Sequence, residues 1–96
     1  MSYTLRFTPE AEDTYDALSL QLQQRWGIHF VQKFEDRVSK ALTTLSITPF
    51  LYPVIVKETR VRKCIIHKNC SLLYKVNGQT VTIICFWDNR QEPMFT

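Results

Sequence analysis

The chain is 96 residues long, 45% hydrophobic and 22% charged, and it carries a formal net charge of +3 at pH 7. A chain of this size can bury roughly 60 to 70% of its unfolded surface. Its two glycines and four prolines exclude a linker-rich or disordered protein. No apolar run approaches the roughly 18 residues of a membrane span, and the start of the chain has no signal-peptide core. We therefore expect one domain over residues 1–96, located in the cytoplasm and without a membrane partner.

The first half of the sequence predicts a strand followed by two helices. Residues 3–7 alternate as a strand does, Thr8 offers an N-cap hydroxyl, and Pro9 suits the first helical position. An apolar stripe at helical spacing follows, and we expect it to lie in the core: Ala11, Tyr15, Leu18, Leu22 and Trp26. Gly27 ends this helix. A second stripe predicts a second helix, closed by Pro49: Phe30, Phe34, Val38, Ala41, Leu42 and Leu45. Two helices joined at one glycine form either a hairpin or a bent pair.

The second half of the sequence predicts a loop and three strands. The apolar, proline-bracketed segment 49–53 is expected to lie over the core. Strands are expected at residues 60–66, 70–76 and 80–87, and Asn77-Gly78 is a strong hairpin signal between the last two. The order βααβββ indicates an α+β fold, with an antiparallel-rich sheet covered on one face by a two-helix hairpin.

The last strand is apolar on both of its predicted faces. Strict alternation places Val81, Ile83, Cys85 and Trp87 on one face and Ile84 and Phe86 on the other. Because two helices cover only one face of such a sheet, we expect a bound protein segment over part of the second face.

The positive charge is concentrated in the second half of the chain. Residues 57–96 hold seven basic and three acidic side chains, whereas residues 1–56 hold five and six. This imbalance indicates an acidic or anionic partner. We expect a target-binding basic patch near one end of the sheet, formed by Arg60, Arg62, Lys63, Lys68, Arg90 and Trp87. The alternative is a solvated sheet edge, where cations discourage pairing between molecules.

His67 is the candidate general acid or base near this patch, although many turn histidines have no catalytic role. The three cysteines, Cys64, Cys70 and Cys85, contain no CxxC pair, and with His29 they give no zinc-ligand spacing. We therefore expect reduced thiols, no metal and no cofactor.

Four segments, taken in order, resemble the RelE/ParE superfamily of toxins from bacterial toxin–antitoxin pairs. They are the helix opening Thr8–Ala11, the basic strand Arg60–Ile66, the apolar run Leu72–Val76 and the ending Trp87–Pro93. Together with the βααβββ order, they cover nearly the whole chain. The resemblance implies a growth-inhibiting toxin of the kind encoded by plasmid stabilization systems, and an antitoxin partner.

The two branches of this superfamily differ in chemistry. RelE-like toxins resemble metal-independent endoribonucleases that cut messenger RNA on the ribosome, whereas ParE-like toxins resemble inhibitors of DNA gyrase. For RelE-like cleavage, the resemblance offers Arg90, Arg62 or Lys63, and His67 as candidate catalytic residues. However, Ser71 replaces an arginine expected before the third strand's apolar run, and no tyrosine follows Asp88.

The ending Asn89-Arg90-Gln91-Glu92-Pro93 is more similar to that of ParE-like chains. The resemblance therefore favours a ParE-like toxin that inhibits gyrase and is neutralised by a cognate antitoxin. One alternative is a RelE-like endoribonuclease with an unusual site and ribosome-bound messenger RNA as its target. The other is a non-toxic relic that only binds its antitoxin.

Overall fold

The computed structural model describes residues 2–89. Its elements are β1 (Thr4–Phe7), α1 (Pro9–Trp26), α2 (Ile28–Ile47), β2 (Val54–Val56), β3 (Val61–His67), β4 (Cys70–Asn77) and β5 (Thr80–Asp88). This arrangement confirms the predicted α+β class and the order of the six predicted elements. It adds β2, a three-residue strand that the sequence pattern did not indicate. Among residues 2–89, no helix is both long and apolar enough to span a bilayer.

The five strands form one mixed sheet in the order β1-β5-β4-β3-β2. The first and last strands are neighbours and run parallel, with Leu5 opposite Val81 and Phe7 opposite Ile83. The other three pairings are antiparallel. Helix α1 packs mainly on β5 and α2 on β3, so the helical pair covers one face of the sheet.

Local sequence explains where both helices begin and end. The Thr8 hydroxyl accepts a hydrogen bond from the Ala11 N–H at 3.0 Å, which caps α1 as predicted. Gly27 separates the helices at φ 89° and ψ 175°, a conformation nearly confined to glycine. Trp26, expected in the core, is 62% exposed, because α1 ends there beyond the edge of the packed interface.

The main core lies between the helices and the sheet. It contains side chains from all the larger elements, namely Ala11, Leu18, Phe34, Val38, Leu45, Cys64, Ile66, Cys70, Leu72, Tyr74, Val81, Ile83 and Phe86. A smaller cluster on the opposite face consists of Val61, Leu73 and Cys85. Leu73 is only 2% exposed, whereas Ile65 on that face is 66% exposed.

A bulge in β5 changes which side chains face the helices. Leu73 is opposite Cys85 and Tyr74 is opposite Ile83, so Ile84 has no partner on β4. Val81 and Ile83 face the helices before the bulge, and Phe86 does so after it. Strict alternation across residues 81–87 was therefore wrong, because the extra residue shifts the pattern by one.

The loop before β2 lies over the core only in part. Pro49 is buried, and its carbonyl accepts a hydrogen bond from the Tyr74 hydroxyl at 2.6 Å. Phe50 and Leu51 are 58% and 65% exposed. The prediction for segment 49–53 is thus right for Pro49 and wrong for the two residues after it.

Candidate functional site

The residues of the predicted basic patch lie in several places. Arg60 precedes β3, in the left-handed region at φ 58°, and Lys68 follows the same strand in the β3–β4 turn. A strand of this length separates them by roughly 20 Å. Arg60 and Lys68 therefore lie at opposite ends of β3.

Arg62 faces the helical side of the sheet, where its guanidinium holds the loop before β2. It donates hydrogen bonds to the carbonyl oxygens of Tyr52 at 2.6 Å and Phe50 at 3.3 Å. The guanidinium carbon also lies 5.1 Å from the centroid of the Phe50 ring, within cation–π range. Arg62 therefore stabilises the loop before β2.

Lys63 and Trp87 lie on the opposite face of the sheet. Lys63 is level with Leu73 and Cys85 across the strands, and Trp87 is opposite Ser71 in the next row on that face. Lys63 is half-buried, and Trp87 packs at the edge of the smaller apolar cluster. These two members of the predicted patch therefore share a surface, away from Arg62.

Ser71, where the resemblance led us to look for an arginine, is completely buried. Its hydroxyl donates a hydrogen bond to Asn89 Oδ1 at 2.9 Å. The Asn89 amide donates to the Lys68 carbonyl at 3.3 Å, and its backbone N–H donates to the Asn69 carbonyl at 2.9 Å. This network fixes the end of β5 to the β3–β4 turn and leaves no cation at this position.

His67 lies on the helical side, at the end of β3. Its ring meets the Phe30 ring edge-on, with centroids 5.8 Å apart, and its Nδ1 accepts the Asn69 N–H at 3.3 Å. Partial burial, followed by the nearby charges of Arg37 and Lys68, lowers the pKa of His67 below its usual value. Both effects favour the neutral form of the imidazole.

Sequence reasoning missed the helical cations around His67. Arg25 lies in the last turn of α1, Lys33 and Arg37 lie one turn apart on α2, and all three line the clefts that contain His67. The spacing of four between Lys33 and Arg37 placed them on one helix face, but only the fold brings that face to the β3–β4 turn. Arg90, the remaining candidate, lies outside the described residues.

A second concave feature runs along both helices. This groove of about 710 Å³ has an apolar floor that includes Phe7, Tyr15 and Phe86. Among residues 2–89, no basic side chain lines it and four carboxylates do: Glu12, Asp16, Glu35 and Asp36. Within residues 2–89, no group of three or more potential metal ligands is present.

A family model described as the ParE toxin of type II toxin–antitoxin system, parDE, matches residues 5–93. The chain belongs to this family of toxins. No curated protein matches the chain.

Solved structures of related toxins share the fold of this ParE-family chain. A chromosomal ParDE TA system from P. aeruginosa is 18% identical, with a TM-score of 0.74 over 91% of this chain and 96% of the other. The YoeB dimer from Staphylococcus aureus is 16% identical, with a TM-score of 0.63 over 88% and 94%. The E. coli DinJ-YafQ toxin-antitoxin complex is 10% identical, with a TM-score of 0.62 over 94% and 96%.

The described side chains of this ParE-family member do not assemble a convergent acid–base site. His67 and Arg62 face the helical side, Lys63 faces the opposite side, and Ser71 is enclosed. What the chain presents instead is one acidic groove and, around His67, one cationic region.

Proposed function

We propose that this chain is a ParE-like toxin that arrests growth by inhibiting DNA gyrase in the cytoplasm. The observation that carries this proposal is the separation of His67 from Lys63, on opposite faces of the sheet. Metal-free RNA cleavage needs a base for the 2′-hydroxyl, cations at the phosphate and an acid for the leaving oxygen, all within reach of one bond. The match to the ParE family model supports the same assignment.

The contacts of the other candidate groups also favour gyrase over RNA as the target. Arg62 is occupied by two carbonyl oxygens and the Phe50 ring, and the Ser71 hydroxyl is occupied by Asn89. Part of the Arg62 guanidinium is thus used to hold the loop before β2, and the buried Ser71 hydroxyl offers no cation to a phosphate. A toxin that acts by binding another protein does not need Arg62 or Ser71 as catalytic residues.

The test is inducible expression of the wild-type chain and of His67→Ala and Arg90→Ala, combined with two assays in vitro. We expect His67→Ala to remain toxic, DNA supercoiling by gyrase to be blocked, and ribosome-bound messenger RNA to stay intact. Specific cuts in messenger RNA that disappear with His67→Ala would replace this proposal with the endoribonuclease. Expression without any growth defect would instead indicate the non-toxic relic.

The acidic groove is our proposed docking site for the cognate antitoxin. Its apolar floor suits the apolar stripe of an amphipathic segment, and its four carboxylates favour lysine and arginine on the rim of that segment. We therefore expect a basic antitoxin segment here. The net positive charge of the whole chain would by itself suggest an acidic antitoxin segment, but the carboxylates of this groove would repel such a segment.

Co-expression with the adjacent small gene, followed by size-exclusion chromatography, tests this docking site. Reversing charge on the groove with Glu35→Lys and Asp36→Lys should weaken the complex, and Glu58→Lys in the β2–β3 turn is the matched control. An unchanged affinity of the double variant would place the antitoxin elsewhere. Failure of any small neighbouring protein to bind would count against an antitoxin partner altogether.

A further inference from the structure

Two adjoining clefts meet at His67, where the end of α1, the start of α2 and the β3–β4 turn come together. The larger cleft, of about 250 Å³, is lined by Arg25, Trp26 and Lys68 among others. The smaller, of about 70 Å³, is lined by Lys33 and Arg37. Phe30, His67 and Asn69 line both. We call these residues together the cationic–aromatic cleft.

The cationic–aromatic cleft gathers positive charge. Four basic side chains line it, Arg25, Lys33, Arg37 and Lys68, and no carboxylate of residues 2–89 lines either part. Like charges brought together by a fold repel one another, and an anion placed between them relieves that repulsion.

The same cleft carries a continuous row of aromatic rings. Trp26 stacks on Phe30 with centroids 5.8 Å apart and an interplanar angle of 30°, and Phe30 meets His67 edge-on. Trp26 nevertheless leaves 62% of its surface exposed. Exposed aromatic rings beside cations are the two components by which proteins hold unpaired nucleotides, since every base has a face that stacks.

We infer that the cationic–aromatic cleft binds a nucleotide unit, with its phosphate among the cations and its base against Trp26. The opening of about 250 Å³ is below the roughly 300–1,000 Å³ that encloses a drug-sized ligand, so it suits one partly exposed nucleotide. An acidic peptide would use the cations and leave the indole without a partner. The unit can come from a free mononucleotide or from an unpaired stretch of nucleic acid. This inference does not depend on gyrase being the target.

The two histidines provide an internal comparison for the test. His67 lies inside the cleft, and His29 is an exposed residue near the start of α2 that lines neither part. The full chain is titrated in separate NMR experiments with adenosine monophosphate, a short single-stranded adenine oligonucleotide, inorganic phosphate and an acidic peptide. We expect both nucleotide probes to shift the His67 ring signals and leave those of His29 nearly unchanged. Tighter binding of the oligonucleotide identifies a nucleic-acid strand as the source, and equal binding identifies the free mononucleotide.

Two substitutions test the contact with the base and the contact with the phosphate separately. Trp26→Ala should weaken nucleotide binding by about 5- to 150-fold, the usual range for one stacked base, and leave phosphate binding unchanged. Lys68→Glu should weaken binding of both nucleotides and phosphate. Lys57→Glu, an exposed position in the β2–β3 turn, is the matched charge control and should leave binding unchanged.

Three results would overturn the inference. No shift of His67 with either nucleotide probe at millimolar concentration would exclude the site. If phosphate and mononucleotide bind with equal affinity, and Trp26→Ala changes neither affinity, the cleft is an anion site that does not recognise a base. Stronger binding of the acidic peptide than of the nucleotides would assign the cleft to a protein partner.

Discussion

Arg62 illustrates, at the scale of one residue, how a charge can belong to the fold rather than to a target. Its guanidinium bridges the carbonyl oxygens of Phe50 and Tyr52 and covers the Phe50 ring. We expect Arg62→Ala to lower the free energy of unfolding by about 1.5–3 kcal/mol, the usual worth of hydrogen bonds to a charged group. Urea unfolding measures this change.

Arg62→Lys should recover less than half of that loss, because an ammonium cannot reproduce the planar fork of donors. Lys57→Ala, on an exposed turn, is the control and should change stability by no more than about 0.5 kcal/mol. A stability of Arg62→Ala equal to that control would show that the loop is held by other contacts.

Buried thiols make the stability of the protein sensitive to alkaline pH. Burial is the main cause that raises the pKa of Cys70 to about 12 and that of Cys85 to about 11. The thiols ionise near pH 9 once unfolded, so the unfolded chain binds fewer protons above that pH and stability falls as pH rises. At about pH 10.5, ionisation of Cys70 in the unfolded chain alone should lower the free energy of unfolding by about 2 kcal/mol.

The measurement is urea unfolding under reducing conditions at about pH 8 and pH 10.5. Cys70→Ala should show a smaller loss between the two pH values than the wild-type chain does, whatever its stability at pH 8. An identical loss in both proteins would mean that Cys70 ionises as easily when folded as when unfolded.

At the scale of elements, α1 completes the hydrogen bonding of a strand. Strand β1 pairs with β5 only as far as Ile83. Beyond that point the Thr8 hydroxyl donates to the Ile84 carbonyl at 2.6 Å, and the Phe86 N–H donates to Thr14 Oγ1 at 2.9 Å. A helix thus takes the place of a neighbouring strand along the rest of this edge.

Thr14→Val should lower the free energy of unfolding by about 1–3 kcal/mol, because it keeps the shape but leaves the Phe86 N–H without an acceptor. Thr14→Ser should retain most of the stability. Thr43→Val is the control, since the Thr43 hydroxyl only donates to the Ser39 carbonyl within its own helix. Thermal unfolding of the three variants compares them, and equal effects at positions 14 and 43 would refute this role.

Most of the elements could be predicted because their signals are local. The Thr8 cap, the glycine between the helices and the Asn77-Gly78 turn each depend on a few neighbouring residues. The parallel pairing of β1 with β5 and the bulge at Ile84 depend on residues far apart in sequence. No periodicity within one segment contains that information.

The candidate site could be predicted only as a set of residue types. The pattern identified His67 and the basic strand, but not the face on which each side chain lies. Strand alternation places the adjacent residues Arg62 and Lys63 on opposite faces, but only the packing of the helices decides which face each one shares with His67. The contribution of Arg25 and Lys33 arises from the packing of the helices against the β3–β4 turn, which is also a long-range feature.

At the scale of the whole molecule, the cysteines bear on whether metal contributes to stability. The three cysteines are free and buried, and no group of three or more potential ligands exists within residues 2–89. We expect a chelator to leave the midpoint of thermal unfolding unchanged, and elemental analysis to find no stoichiometric zinc. Zinc retained through dialysis at a fixed ratio to the chain would contradict this prediction.

The pairing of the first strand with the last has a consequence for synthesis. Between Phe7 and Thr80 the ribosome must add both helices and three further strands, which takes about 4 to 15 s at roughly 5–20 residues per second. Throughout that interval β1 has no strand beside it, and Val81 and Ile83 are missing from the core. The sheet therefore closes only after β5 has left the ribosome. Surfaces that include β5, among them the acidic groove with Phe86 in its lining, therefore form last.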